Sequence, residues 1–215
     1  MTNRSKHNYQ KDMDSLLEEI HSSGIRPKLL LHSCCAPCSS YVLEYLSPYF
    51  EIVDFYYNPN ISPEEEYYHR VDEMQRLIKE MLPDSDIRFV EGMYDHDRYL
   101  ETVKGLEGEP EGGARCEKCF RLRLQEAALA AKEFHCDYFA TTLTISPLKN
   151  PDLINSIGFE IARETGVRYL ASDFKKKEGY KRSIELSQQY RLYRQNYCGC
   201  IYSQEESENK RSSVV

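Results

Sequence analysis

At 215 residues, with 40% hydrophobic and 29% charged positions, the chain has the makeup of a soluble globular domain long enough to bury a substantial core. No apolar run approaches the ~20 residues needed to span a bilayer, and MTNRSKHNYQKDMDSLLEEI lacks the apolar core of a signal peptide. A formal charge of −7 argues against broad attraction to DNA or any other nucleic acid, while leaving room for a local basic surface.

Residues 1–12 read as a mobile tail, and Met13 to Ile20 as a short amphipathic helix ended by Gly24. KLLLH is the first expected strand and leads into HSCCAPCSS, where Pro37 interrupts and Cys38 begins the next helix. EIVDFYY follows as the second strand. Ser62-Pro63-Glu64-Glu65 then supplies an N-cap, a first-turn proline and a capping-box glutamate for a helix reaching Met81. IRFVE is a third strand. A helix rich in Ala and Leu is expected from Cys116 or Glu117 to Phe134, ahead of a fourth strand in DYFATTL. Asn150-Pro151 opens a helix that buries Leu153, Ile154, Ile157 and Ile161 and stops at Gly166, and VRYLA is the fifth strand. SQEESENKRSSVV is polar enough to read as disordered over 203–215. The expected organisation is therefore a single α/β domain with a metal site over 13–202, flanked by two tails.

Alternating strands and helices predict an α/β fold: a doubly wound parallel sheet with helices on both faces. In such folds ligands sit at the carboxyl ends of the strands. HSCCAPCSS, YNPNISP and TLTISPLKN follow the first, second and fourth strands, so all three should meet at that edge.

Seven of the eight cysteines fall in three groups: Cys34, Cys35 and Cys38; Cys116 and Cys119; Cys198 and Cys200. The composition points to a cytoplasmic protein, where grouped thiols bind metal or do redox chemistry more often than they form structural disulfides. Cys116-Glu-Lys-Cys119 puts two sulfurs about one helical turn apart, a spacing shared by cluster sites, zinc sites and thioredoxin-like pairs. Seven thiolates exceed the four of a tetrahedral zinc site and fit a four-iron cluster plus a second metal or a redox disulfide. Glycine between Cys198 and Cys200 permits a small, easily reduced disulfide ring. Cys136 stands apart and reads as core.

Between Lys175 and Tyr197 lie seven basic residues, two acids and four tyrosines. That pattern suits either a solvated helix face or a phosphate-contacting stripe with stacking aromatics.

LLLHSCCAPCSS, FYYNPNISPEEEYYHR, RCEKCFRLRL, FATTLTISPLKN, DFKKKEGYKRSIELS and LYRQNYCGCIYS extend in order across residues 28 to 203. Together they resemble the cobalamin-independent, iron–sulfur epoxyqueuosine reductases. The resemblance implies a Rossmann-like fold of the nucleotide α-hydrolase type. It also implies reduction of epoxyqueuosine to queuosine on the wobble nucleoside of tRNA. By the same resemblance, Cys34, Cys35, Cys116 and Cys119 are ligands of a 4Fe-4S cluster, and Cys198 and Cys200 are a redox-active pair. Cys38 is an extra ligand for an additional iron ion, with Cys198 or Cys200 as its further donor.

Lys175, Lys176, Lys177, Lys181 and Arg182 are then the expected RNA contacts, with Arg191 and Arg194 behind them. Tyr180, Tyr190 or Tyr193 would stack on a base, and His32, Tyr197 and His69 are candidate proton donors. No G-x-G-x-x-G is present, so an external electron donor is expected. An ATP-dependent tRNA thiolase or pyrophosphatase is disfavoured, because HSCCAPCSS has no glycine to let amides wrap a phosphate. A non-enzymatic metal-binding or redox-sensing protein would explain the thiols but not the TLTISPLKN loop or the basic segment.

Overall fold

The computed structural model describes residues 7–212, with side chains through residue 209. Five strands, β1 (Lys28–His32), β2 (Glu51–Tyr56), β3 (Arg88–Glu91), β4 (Tyr138–Thr141) and β5 (Arg168–Tyr169), form one sheet in the order β3-β2-β1-β4-β5. All four pairings are parallel, with Leu30 of β1 opposite both Val53 and Phe139. The central strand β1 is apolar throughout its middle because both of its faces are covered.

Seven of the eight helices among the described residues cover the two faces. α1 (Tyr9–Ser23), α2 (Ala36–Leu46), α3 (Glu64–Met81) and α7 (Gly179–Gln189) close a core containing Met13, Leu43, Met74 and Leu186 on one face. α4 (His96–Val103), α5 (Ala114–Glu133) and α6 (Pro151–Thr165) close a second core on the other, around Val103, Leu124 and Ile157. This is the doubly wound α/β architecture expected from the alternation of elements. α8 (Ile201–Ser212) ends the described chain. No helix among the described residues is long and apolar enough to cross a membrane.

Several boundaries differ from the sequence expectation. The N-terminal tail is shorter than residues 1–12: Asn8 caps α1, whose buried stripe starts at Gln10, bonded to Asp14 and Tyr45. Residues 1–6 lie outside the described chain. Ser62 does not cap α3. Pro63 is itself extended (ψ 178°) and occupies the cap position without a side-chain bond, while the Ser62 amide donates to Gly199 O at 3.0 Å. The helix after β1 begins at Ala36 rather than Cys38, because Pro37 fits the first turn, where no amide hydrogen is required.

Residues 203–212, expected to be disordered, belong to α8; residues 213–215 lie outside the described chain. Polar as it is, α8 is tethered by buried Ser203 and by Glu206, which pairs with the buried Arg115 guanidinium at 3.1 Å. α4 had no sequence signal strong enough to be expected; Asp95 caps it.

β2 carries one costly residue, Asp54. It is fully buried and accepts a hydrogen bond from Ser33 Oγ, and its second oxygen has no partner among the described residues. Burial pushes its carboxyl up to about 7; the Ser33 bond opposes this, and the Cys34 charge adds to it. A raised folded pKa means stability that is full below the unfolded value of 3.8 and is lost as pH rises through about 7. Over that window the loss approaches about 4 kcal/mol as an upper bound. Thermal unfolding of the metal-free protein between pH 4 and 8 should show this slope in the wild type, and Asp54→Asn should flatten it. An unchanged slope would mean that Asp54 is ionised throughout.

Candidate metal centre and active-site cleft

The cysteines converge through the starts of three helices. Cys34 leaves β1, with its amide bonded to Thr142 Oγ1 at 3.1 Å and its sulfur 3.3 Å from the same oxygen. Cys35 is the N-cap residue of α2 and Cys38 lies in its first turn. The sulfurs of Cys34 and Cys35 are 3.9 Å apart, and all three lie within 4.8 Å of one another, close enough to hold a metal ion.

Cys116 and Cys119 sit at the start of α5, where the Gly112 amide donates to Cys116 Sγ at 3.2 Å. Cys200 immediately precedes α8, and its sulfur accepts from the Ser203 amide at 3.4 Å. Each helix start presents unpaired amides and the positive end of its dipole, which favours negative charge on sulfur. All eight thiols are free.

Gly199 fixes the last pair. Its φ of +115° suits glycine, and a Cβ there would lie 2.9 Å from the Arg70 guanidinium and 3.0 Å from Ile61. The Cys198-Gly199-Cys200 segment is thereby held against the loop after β2. Cys198 lies on the wall of the main cleft, and Cys200 is buried behind it.

That cleft has a volume of about 470 Å³ and is lined by Cys34, Cys35, Cys38 and Cys198 together with Arg123 and Lys149. A smaller cavity of about 180 Å³ reaches Cys116 and shares Cys198 and Lys149 with it. Arg123 was missed in the sequence, although C-x-x-C-x-x-x-R puts residues 116, 119 and 123 on one helical face. Arg123 is 2% exposed. Nε lies 3.3 Å from His32 Nε2, Nη2 donates to Asn58 Oδ1, and Nη1 has no partner among the described residues. Lys149, also missed, is half-buried, and its ammonium has no carboxylate partner among those residues. Nothing in the loop sequence showed which way its side chain would face.

The thiols respond to one another. Hydrogen bonds from Cys35 and Cys38 hold the Cys34 thiol well below the usual range against burial, with Lys149 and Arg123 adding to the effect. Sharing with Cys34 pushes Cys35 up to about 12, and burial pushes Cys119 up to about 12 despite Arg123. A metal would therefore displace protons on binding. Soft donors in excess of one ion's needs, three helix starts and an uncompensated buried cation together fit an anionic thiolate–metal centre. Cys116 lines the adjoining smaller cavity, which shares Cys198 with the cleft, so the two groups of thiols border neighbouring cavities.

The other expected residues separate. His32 is buried and bonded to Thr141 at 2.9 Å, and burial followed by the Arg123 charge lowers it to about 3, so it stays neutral. It props Arg123 from below. Tyr197 and Tyr180 line the cleft, whereas His69 is exposed and packs on Tyr193. Tyr193 bonds to Glu66, and Tyr190 packs against the core.

In the basic segment, Lys175 pairs with Asp173 at 2.9 Å, Lys177 with Asp14 at 2.7 Å and Lys181 with Glu178 at 3.4 Å. Arg182 binds Glu44 through two nitrogens and also reaches Glu185. Lys176 has no carboxylate partner among the described residues, and Arg194 lines the cleft. Cys136 is buried away from the site, as expected.

The family model described as epoxyqueuosine reductase QueH matches residues 29–206. An epoxyqueuosine reductase QueH from Streptococcus pyogenes serotype M1 is 42% identical over 205 residues, covering 94% of this chain and 80% of the relative. One from Staphylococcus epidermidis is 42% identical over 202 residues, covering 92% and 85%. The Thermotoga maritima protein of that name is 33% identical over 190 residues, covering 86% and 95%. The matched span runs from the first strand through every cysteine of the cleft and into the last helix, and the chain belongs to the epoxyqueuosine reductase QueH family.

Proposed function

We propose that this oxidoreductase of queuosine biosynthesis reduces epoxyqueuosine to queuosine at the wobble position of tRNA, with a 4Fe-4S cluster held by Cys34, Cys35, Cys116 and Cys119. The observation that carries the reading is that Cys34, Cys35, Cys38 and Cys198 line one cleft with buried Arg123, while Cys116 lines an adjoining cavity and Cys119 lies one turn before Arg123 on α5. Cys38 is the proposed ligand of an additional iron, and Cys198 and Cys200 the redox-active pair. When bound, the cluster supplies electrons, which an external donor must replenish.

Turning the epoxide into an alkene takes two electrons and two protons and releases the oxygen as water. The chain's own residues prepare the site for this. A cleft of about 470 Å³ suits one splayed nucleoside. Tyr180 stands on its wall as a stacking surface, beside exposed Leu148. Burial raises the Tyr197 hydroxyl above its ordinary value, so Tyr197 Oη holds a proton at neutral pH and is placed to give it to the departing oxygen. Lys149 offers a positive charge to the same region.

The basic segment Lys175, Lys176, Lys177, Lys181 and Arg182 is the proposed RNA face. Lys176 contributes most directly, because an internal carboxylate already engages each of the other four.

Two experiments test these assignments. With tRNA bearing epoxyqueuosine, loss of one oxygen from the nucleoside, followed by mass spectrometry, should occur with the wild type and cease with Cys34→Ala or Cys119→Ala. Wild-type turnover by either variant would remove the cluster from the mechanism. For RNA contact, Lys176→Ala should weaken tRNA binding and reduce the slope of log K against log salt by about 0.7, the increment for one single-strand phosphate contact. An unchanged slope in the Lys176→Ala, Arg194→Ala double variant would return this surface to ordinary solvation.

A further inference from the structure

Arg123 and Lys149 are cations that line the cleft beside its thiols. Arg123 projects from α5 one turn beyond Cys119 and two beyond Cys116. It is fully buried; His32 and Asn58, which it bonds, are neutral, and Cys119 is its neighbour on α5. Burying a guanidinium without a counter-charge costs several kcal/mol, so something anionic must face the orphaned Nη1. The thiols of Cys119, Cys198 and Cys34 are the groups around it that would face it with negative charge once a metal replaces their protons. Lys149, on the loop after β4, lines both cavities and shares the wall of the main cleft with Arg123, Cys34, Cys38 and Cys198.

We propose that Arg123 and Lys149 are fixed counter-charges that raise the reduction potential of the cluster, acting as positioning charges rather than as ligands. The inference rests on the 4Fe-4S reading. Four thiolates around a four-iron core give the centre a net negative charge, and reduction adds one further electron from the external donor with no bond made or broken. A nearby fixed positive charge therefore favours the reduced state, and net charge and hydrogen bonding to sulfur are among the factors that set such potentials. Water screens Arg123 less than Lys149, so Arg123 has the larger effect.

The test is a spectroelectrochemical titration of the anaerobically reconstituted wild type, Arg123→Met, Arg123→Lys and Lys149→Met, each with its iron and sulfide measured. Both methionine variants should titrate at a more negative potential. For Arg123→Met the shift should reach at least about 59 mV, a tenfold change in the one-electron equilibrium. Arg123→Lys should recover most of the wild-type value, which lost packing alone would not produce. Equal midpoints in fully loaded wild type, Arg123→Met and Lys149→Met would overturn this inference while leaving the cluster in place. If Arg123→Met fails to load, Lys149→Met, on a half-exposed loop, decides by the same criterion. A wild type that holds no sulfide would overturn the cofactor reading, and this inference with it.

Discussion

A guanidinium buried without a carboxylate is the constraint on which the rest of the site depends. Arg123 cannot sit between neutral His32 and Asn58 unless negative charge lies close by. Three helices begin around the same space, each adding the positive end of its dipole. Positive charge is thus built into the backbone and the core, and the groups on the cleft wall able to match it are its thiols and Glu111. A metal held by these thiols would resolve that mismatch, because it would replace thiol protons with a centre that stays anionic. The buried thiols that resist ionisation, Cys35 and Cys119, are also the ones a metal would have to deprotonate.

The sheet explains why the parts meet. β1 lies between β2 and β4, and the strand order reverses at that point, so the loops leaving β1 and β4 part and open a crevice. Cys34, Cys35 and Cys38 enter from the β1 side, and Lys149 enters from the β4 side. Thr142 ties the two together through the Cys34 amide. α5 brings Cys116, Cys119 and Arg123 beneath them, and the strap from α7 to α8 closes over the remaining side with Cys198. Many folds of this kind hold a phosphate at that crevice with glycine amides; here the loop after β1 supplies thiols.

Much of this was legible in the residues, for identifiable reasons. Strands that pair on both sides must be short and apolar, so KLLLH and DYFATTL could be read directly. α3 and α6 were legible through their proline starts and, for α6, through Gly166 in a left-handed conformation at its end. α8 was not legible, because its anchor is a long-range pair between Glu206 and Arg115 rather than an apolar stripe. The basic segment misleads for the same reason: Asp14 and Glu44, which engage Lys177 and Arg182, come from α1 and α2, and no local pattern reveals them. Arg123 could have been found from its helical spacing behind the two cysteines. Lys149 could not, since its significance lies in where a loop side chain points.

The thiols of this cleft can hold a metal, which we propose to be part of an anionic iron–sulfur centre. The most direct test is the iron, labile sulfide and zinc content of the wild-type chain, purified and reconstituted without oxygen, together with its absorption before and after dithionite. The expected result is four sulfides with four or five irons per chain and a broad visible band that bleaches on reduction. One zinc and no sulfide would contradict the account and leave a structural thiol site in place of a redox centre.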